Sequence, residues 1–389
     1  MPPRTALSAA PLAGLSVDQF MRHHWQRKPL LIRRAIPGFR APLDAAELSA
    51  LAGDDSVESR LIARQRGRWT LDHGPFEPDQ LPPLSGRDWT LLVQGVDLHS
   101  DAVHALLACF RFVPDARLDD LMISLAADGG GVGPHQDSYD VFLLQAWGRR
   151  RWRVGRVAGP RLVPDLPLRV LENFEAEDEW LLEPGDMLYL PPGWGHDGIA
   201  EGPCMTCSIG FRAPSRHEFL AAFLADAADA PGGPDPRFGD RGRRPAGAAA
   251  ARIPEDLHRT LTDWGRHWRP SAAQVDEFIG RYLSEPKAGV WFDAPPAIGP
   301  RAFAQRIRKQ GVGLDRRSRM LWRGNRIYIN GDSFHVAASA RALLRRLADR
   351  RGLGPADLQT VAEDNEVFPI LHQWHKAGWL RLKSATKRP

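Results

Sequence analysis

GGGVGPHQDSYDVFLLQAWGRRRW occupies residues 129–152 and contains two potential metal ligands, His135 and Asp137. In a β-strand, side chains two residues apart point to the same face, so this imidazole and carboxylate can meet one ion. A third potential ligand, His196, lies sixty-one residues further on in LEPGDMLYLPPGWGHDG. The glycine run and the Pro-Pro-Gly triplet predict tight turns between strands. The sequence therefore predicts a metal site built on β-strands.

Length and composition limit the class of protein. The chain has 389 residues, which predicts two or three domains rather than one. Apolar residues make up 43% and charged residues 25% of the sequence, as in ordinary soluble globular proteins. The three cysteines are too few for a disulfide framework, and no run of about 18 apolar residues occurs. We expect a cytoplasmic protein with no membrane partner.

Charge is distributed unevenly along the chain. Residues 301–389 contain 19 basic and 7 acidic residues, a net charge of +12, whereas the remaining 300 residues carry a net charge of −7. A basic unit of this kind suits a polyanionic partner, or it is a solvated face. Because no base-reading motif accompanies the arginines, we favour the solvated face over direct nucleic-acid binding.

Short apolar runs dominate the first 214 residues. Strands are expected at 57–65, 67–76, 88–97 and 121–127, separated by turns rich in proline and glycine. Helices are expected after Ser16 and over 102–112. Further short strands follow residue 153 in EWLLEPGD, MLYLPPG and CMTCSIGFRAP. This pattern is typical of a closed β architecture, with its core at about 100–214.

Helical periodicity replaces the strand pattern after residue 214. SRHEFLAAFLADAADA and PEDLHRTLTDWGRHW predict two helices, and a third begins at Ser271, where Gln274 completes a capping box. Residues 231–250 are rich in proline and glycine and predict a linker. We therefore assign residues 215–293 to a separate helical region.

The last unit, residues 294–389, mixes helices with a small β-ribbon. Helical AFAQRIRKQ is followed by RMLWRGNRIYING, in which Gly324-Asn325 marks a turn between two strands. A helix in SARALLRRLADRRG and a helix and strand in LHQWHKAGWLRLK complete the unit. This order predicts a winged-helix-like domain.

Two histidines and one carboxylate define the chemistry of the metal site. Such a set occupies one face of an octahedral ion and leaves three positions open, an arrangement diagnostic of non-haem Fe(II) oxygenases. A structural zinc site would instead be closed and tetrahedral. The open positions allow a bidentate co-substrate and then O₂ to bind the same metal.

The surroundings of these ligands resemble the two cupin motifs. Gly129 and Gly148 flank the first pair at the spacing of the first motif, and Gly185, Pro191-Pro192-Gly193 and His196 match the second. The second histidine of the general pattern is Asp137 here, and the usual glutamate is Val141. With these two departures, the motif resembles that of the Jumonji-C oxygenases. The resemblance implies a double-stranded β-helix barrel that binds Fe(II), uses 2-oxoglutarate as co-substrate and reacts with O₂.

Such oxygenases use a cation to bind the distal carboxylate of 2-oxoglutarate. GRRRW offers three arginines, and strand parity alone does not choose among them because a turn or bulge must intervene after Asp137. The resemblance selects Arg150, and it implies that Ser124 donates a hydroxyl to the same carboxylate.

The similarity extends over nearly the whole chain. WQRKPLLIRRAIPGF, WTLLVQGVD and SIGFRAPSR, with the motifs above, resemble the bacterial ribosomal oxygenases. That family implies a Jumonji-C domain, a helical dimerisation region that makes a homodimer, and a C-terminal winged helix. It implies 3-hydroxylation of an arginine in ribosomal protein number sixteen of the large subunit.

The substrate-binding residues are a hypothesis from position alone. Asp128, Tyr139, Asp140 and Asp197 lie near the ligands in sequence, and a carboxylate there can pair with a guanidinium. Of these four, we assign Asp128 and Tyr139 to substrate binding. Two alternatives remain. Animal relatives of the family hydroxylate histidine, which implies the same chemistry on another ribosomal protein, and a non-enzymatic cupin regulator would act through the basic C-terminal unit.

Overall fold

The computed structural model describes residues 10–229, 237–239, 241, 252–362 and 364–383. The predicted linker 231–250 lies outside these residues apart from 237–239 and 241. The described helices are α1 (Val17–His23), α2 (Ala45–Leu51), α3 (Asp101–Ala108), α4 (Arg216–Asp229), α5 (Glu255–His267), α6 (Ala272–Ser284), α7 (Pro300–Gln310), α8 (Ala338–Arg350), α9 (Pro355–Leu358) and α10 (Val367–Lys376). None of them has the length and apolar character that crossing a membrane requires.

Within the described residues, the strands form one large sheet and two small ones. Those of the large sheet are β1 (Leu30–Ile32), β2 (Ser59–Gln65), β3 (Arg68–His73), β4 (Trp89–Val93), β5 (Leu118–Ala126), β6 (His135–Gln136), β7 (Val141–Arg156), β8 (Asp178–Leu182), β9 (Met187–Leu190) and β10 (Trp194–Phe211). Those of the small sheets are β11 (Val312–Leu314), β12 (Met320–Arg323), β13 (Arg326–Ile329), β14 (Asp332–His335), β15 (Gly352–Leu353) and β16 (Leu380–Leu382).

The large sheet is antiparallel and runs in the order β1-β9-β7-β10-β5-β4-β2-β3, with β6 on β10 and β8 on β7. The two longest strands, β7 and β10, pair over most of their lengths. Their register shifts between Glu201 and Thr206, opposite Gly148, whose φ of 63° favours glycine. The bulge predicted after Asp137 is therefore present, and the sheet forms the expected double-stranded β-helix barrel.

One face of the barrel sheet packs against the N-terminal helices. An aromatic cluster of Phe20, Phe110, Phe142 and Tyr189 is fully buried there. The predicted helix α1 brings Phe20 into this cluster and begins with a capping box at Ser16. Each such side chain contributes about 1.5–3 kcal/mol relative to leaving it exposed, so this face is the main core of the barrel unit.

The opposite face of the same strands lines the interior of the barrel. A smaller apolar cluster fills one part of it, with Val141, Leu143, Val154, Leu182, Leu188 and Leu190 around Trp152. Polar side chains occupy other inward positions and are also buried, among them Ser124, Gln145, Arg150 and Thr206. Because side chains alternate along a strand, the same strands build both the core and this polar interior.

The C-terminal unit has the predicted winged-helix order. Strands β12, β13 and β14 form one antiparallel sheet, and the first two turn at Gly324-Asn325 as expected. Helix α6 begins with the predicted capping box at Ser271 and packs on this sheet, where Gly280 lies against Tyr328. The winged unit therefore makes contact with a helix that the sequence analysis assigned to the preceding region.

Candidate metal centre

Strand pairing brings the three predicted metal ligands together. The short strand β6 pairs with β10 so that His135 is opposite His196, and the two rings lie 4.2 Å apart. Asp137 follows two residues later, and its carbonyl accepts a 2.9 Å hydrogen bond from the Gly193 amide. One ligand atom from each of the three residues lies within 4.8 Å of the others. Among the described residues, no other group of histidine, cysteine and acidic side chains has this arrangement.

Hydrogen bonds to the backbone orient both imidazoles. Nδ1 of His135 lies 2.9 Å from the Gly133 carbonyl, and Nδ1 of His196 lies 3.2 Å from the Trp194 carbonyl. A carbonyl only accepts, so each Nδ1 carries the proton and each Nε2 keeps a lone pair for a metal. Nε2 of His196 is 3.7 Å from the Asp137 carboxylate. Two ligands on one ion lie roughly 3–4 Å apart, because metal–ligand bonds are about 2.1 Å long.

Burial differs among the three ligands. His196 is 2% exposed, while His135 and Asp137 are only partly buried. Burial, reinforced by the neighbouring His135, lowers the pKa of His196 to about 4, so its ring is neutral near pH 7, as metal binding requires. The three donors therefore fit a divalent ion whose remaining coordination positions are open on one side.

Arg150 lies inside the barrel, on the face predicted by the resemblance. It is 5% exposed, whereas Arg149 is exposed and Arg151 pairs on the surface with Glu179 and Glu201. Nη1 of Arg150 donates to the Ser124 hydroxyl at 3.3 Å. Its Nε and Nη2 are buried and contact no acceptor among the described residues. A buried cation without an anion is costly, so this site fits a carboxylate ligand.

Ser124 joins Arg150 to the neighbouring strands. It is 2% exposed and pairs across the sheet with Thr206, whose carbonyl lies 3.5 Å from the Ser124 hydroxyl. The Thr206 hydroxyl instead donates to Gln145 at 3.0 Å. Of these two hydroxyls, that of Ser124 contacts the Arg150 guanidinium.

The two predicted substrate residues occupy different surroundings. The Asp128 carboxylate forms an ion pair with Arg87 and accepts a 2.8 Å hydrogen bond from the Gly202 amide, so it already has two partners. Tyr139 exposes 39% of its surface. Burial of its hydroxyl, together with the Asp137 carboxylate beside it, raises the pKa of Tyr139 above its usual range. Tyr139 thus lies directly beside a ligand at the open side of the site.

Trp152, which the sequence did not predict, lies beside the candidate ligands and Arg150. Its ring lies 5.8 Å from the His196 ring, and the Arg150 guanidinium carbon lies 5.8 Å from its ring centre. Strand alternation was the available signal, since Trp152 is two residues after Arg150 and shares its face. The indole also depends on Gly198, because a Cβ there would lie 2.6 Å from its Cη2 and Cζ3 atoms.

Comparisons with known proteins match both units. A family model described as a JmjC domain matches residues 105–219, and one described as a ROXA-like winged helix matches residues 265–381. The ribosomal protein uL16 3-hydroxylase of Escherichia coli is 34% identical over 369 residues, 94% of this chain and 97% of that protein. A probable ribosomal oxygenase of Haemophilus influenzae is 34% identical over 54% of each chain. The structure of Escherichia coli YcfD with cobalt and 2-oxoglutarate has a TM-score of 0.78, 32% identity, and coverage of 96% of this chain and 99% of that chain.

The fold and these matches define a JmjC-type, 2-oxoglutarate-dependent oxygenase with a winged helix. Similarity along nearly the full length of both chains narrows the class further. The chain belongs to the bacterial ribosomal oxygenase family.

Proposed function

We propose that this protein is an Fe(II)- and 2-oxoglutarate-dependent hydroxylase that adds oxygen to C3 of an arginine in ribosomal protein uL16. One observation carries the proposal: a two-histidine, one-carboxylate set, open on one side, shares a barrel with a buried guanidinium that has unused donors. The protein uL16 and the position of the oxygen follow the name of the Escherichia coli relative, and the arginine follows the family resemblance found in the sequence. A ribosomal substrate also supports a cytoplasmic location for the enzyme.

Each site residue has a proposed task. His135, Asp137 and His196 hold the metal, and the backbone carbonyls behind the two rings keep Nε2 deprotonated. When bound, Fe(II) supplies the chemistry by which O₂ oxidises 2-oxoglutarate to succinate and CO₂ and inserts one oxygen into a C–H bond. Arg150 and Ser124 bind the distal carboxylate, which orients the co-substrate towards the ligands and leaves an open side for the substrate.

Asp128 and Tyr139 are the proposed substrate residues. Tyr139 is partly exposed beside Asp137, which suits a residue that contacts an entering side chain. Asp128 is 36% exposed at its side chain, and its partner Arg87 is 68% exposed, so a substrate guanidinium can replace that surface partner. These features support a rim that recognises a cationic side chain.

We further propose that the chain divides into a catalytic unit at 1–214, a helical region at 215–293 and a winged-helix unit at 294–389. In this proposal, the helical region forms the interface between the two copies of a homodimer. Large apolar side chains of α4, α5 and the flanking segments face outwards, each more than two-fifths exposed. They are Leu220, Leu224, Ile253, Leu261, Trp264 and Trp268. Helix α5 itself has no buried residue, which is typical of an amphipathic helix that needs a partner.

A peptide panel tests the substrate. The enzyme is loaded anaerobically with Fe(II), given 2-oxoglutarate and O₂, and offered an arginine-containing uL16 fragment and histidine-containing fragments of other ribosomal proteins. We expect one added oxygen on the uL16 arginine, located at C3 by tandem mass spectrometry and amino-acid analysis. Oxygen on a histidine fragment alone would overturn the substrate. Strongly salt-dependent duplex binding without succinate release would instead support the regulator.

A further inference from the structure

Trp152 occupies the layer of the barrel between the metal ligands and the co-substrate arginine. Along the β7–β10 pair, Val154 lies opposite His196, Trp152 opposite Gly198, and Arg150 opposite Ala200. His196 and Ala200 are four residues apart on β10, which corresponds to roughly 13 Å of strand. A molecule that reaches from the metal towards Arg150 must therefore pass the indole.

The indole is held in place from both sides. On one side lies Gly198, where any Cβ would overlap the ring. Trp180 is the register partner of Trp152 on β8, and Trp152 itself is only 5% exposed. A ring fixed in this way has lost its rotamer freedom before any ligand arrives, so binding to it costs little further entropy.

The indole N–H of Trp152 is buried and contacts no acceptor in the described part of the chain. An unsatisfied buried donor costs about 1–3 kcal/mol, and the great majority of buried polar groups in proteins have partners. Nε and Nη2 of Arg150, inside the same barrel, are likewise buried without an acceptor among the described residues. Unused donors on neighbouring inward positions point to one missing acceptor-rich ligand.

We propose that Trp152 is a further co-substrate residue, whose indole N–H donates a hydrogen bond to an oxygen of 2-oxoglutarate while its ring packs on the methylene carbons. The proposal rests on the function proposed above. It extends the carboxylate site beyond Arg150 and Ser124 with a neutral donor. A neutral donor contributes affinity without adding a second buried positive charge.

The substitution Trp152→Phe tests this role because it keeps an aromatic ring and removes the N–H. We expect the Kd for 2-oxoglutarate, measured by calorimetry on the Mn(II)-loaded protein without turnover, to rise about tenfold. The KM for 2-oxoglutarate in the Fe(II) enzyme should rise equally, with kcat unchanged within about twofold. The melting temperature of the ligand-free variant should not be lower than that of wild type, because the substitution removes a buried donor that had no partner.

Trp374→Phe is the matched control. Trp374 is also fully buried with an indole N–H that has no acceptor among the described residues, but it lies in the core of the winged unit. Its replacement should leave the Kd and KM for 2-oxoglutarate unchanged. If Trp152→Phe does not fold, a benzothienylalanine at position 152 keeps the ring shape, lacks the N–H and must give the same weakened binding.

The outcomes separate the two proposals. Wild-type protein that neither binds 2-oxoglutarate nor releases succinate would overturn the proposed function, and the role of Trp152 with it. Wild-type protein that does both, with a Trp152→Phe variant of equal Kd and KM, would overturn the role of Trp152 alone.

Discussion

Arg150 is the residue whose surroundings most restrict the chemistry. Its guanidinium is held inside the barrel by one hydrogen bond to Ser124, and no carboxylate of the described chain pairs with it. A protein that needed only stability would replace such a cation with an apolar side chain, because burying a charge without an anion is costly. The retained cation is best explained by an anionic ligand.

Replacing Arg150 by glutamine should separate binding from stability. We expect the KM for 2-oxoglutarate to rise roughly 100-fold, because losing a buried charge-assisted pair costs about 2–5 kcal/mol. The ligand-free variant should melt no lower than wild type, since it no longer buries an unpaired charge. Steady-state kinetics and thermal unfolding measure the two effects. Arg149→Gln, on the neighbouring exposed residue, is the control, and an equal rise in KM there would contradict the assignment.

A buried acid outside the site gives a pH-dependent stability. Asp97 is 3% exposed and accepts a 2.8 Å hydrogen bond from the Leu121 amide. Burial raises the pKa of Asp97 from 3.8 to about 7. The folded protein therefore holds this proton more tightly than the unfolded chain, so the free energy of unfolding falls as pH rises from about 4 to about 7.

Asp97→Asn should remove that contribution, because the amide oxygen still accepts from Leu121 but does not ionise. The stability of the variant relative to wild type should increase between pH 4 and 7, by no more than about 4 kcal/mol, and stay constant above pH 7. Urea unfolding at a series of pH values measures the difference. A difference that is independent of pH would show that Asp97 ionises freely in the folded protein.

Sequence patterns identified the three candidate ligands that the fold brings together, but not every neighbour of these residues. His135, Asp137 and His196 were accessible because spacing and turn residues are local signals. The choice of Arg150 required a resemblance, because the bulge at Gly148 changes strand parity and depends on how β10 is placed. Strand alternation places Trp152 on the face of Arg150, but its contact with Gly198 joins residues 46 positions apart in sequence, and no local pattern reports that contact.

Capping signals account for only some of the helices that the sequence predicted. Ser16 and Ser271 mark α1 and α6, and both capping boxes are present as expected. Helix α2 was not predicted, although Asp44 and Glu47 form the same capping box at its start. The predicted helix at 102–112 ends earlier, at Ala108, because tight turns follow it. The signal for α2 was therefore present in the sequence, and the end of α3 is set by local turn hydrogen bonds that helical periodicity does not report.

Helix α6 offers a direct test of how the winged unit is packed. A methyl group on Gly280 would lie closer to the Tyr328 ring than any carbon–carbon contact allows, so Gly280→Ala should destabilise the protein by about 1–3 kcal/mol. Gly265 of α5 faces open space, and Gly265→Ala should stabilise its helix by up to about 1 kcal/mol. Thermal unfolding measures the stability of the two variants relative to wild type. Equal effects of the two alanines would mean that α6 does not pack on β13.

The uneven charge of the chain has an internal explanation. Arg316 donates to the Leu98 carbonyl at 2.6 Å and lies 2.9 Å from the Asp101 carboxylate, and Arg319 donates to the Leu118 carbonyl at 2.6 Å. Basic side chains of the C-terminal half thus bind the acidic barrel unit directly. From the sequence, the basic residues suggested either a polyanionic partner or a solvated face. Neither of these alternatives included contacts between the two units.

The proposed dimer is tested by disrupting the exposed apolar surface. Trp264 is 42% exposed on α5, and Trp264→Arg should convert a dimer into a monomer in sedimentation velocity, because a charge cannot be buried there without a partner. Trp322→Arg is the control, since Trp322 is also 42% exposed but lies on β12 of the winged unit. A monomeric wild-type protein, or dissociation by the control alone, would remove the interface from 215–293.

The central claim is that the metal set and the barrel together couple 2-oxoglutarate oxidation to hydroxylation of uL16. The direct measurement follows succinate and hydroxylated peptide together after O₂ is admitted to the anaerobic Fe(II)-loaded enzyme, 2-oxoglutarate and a uL16 fragment. We predict equal amounts of the two products for wild type and neither for His196→Ala. Succinate and hydroxylated peptide produced by His196→Ala at the wild-type rate, or neither product from wild type, would contradict the account.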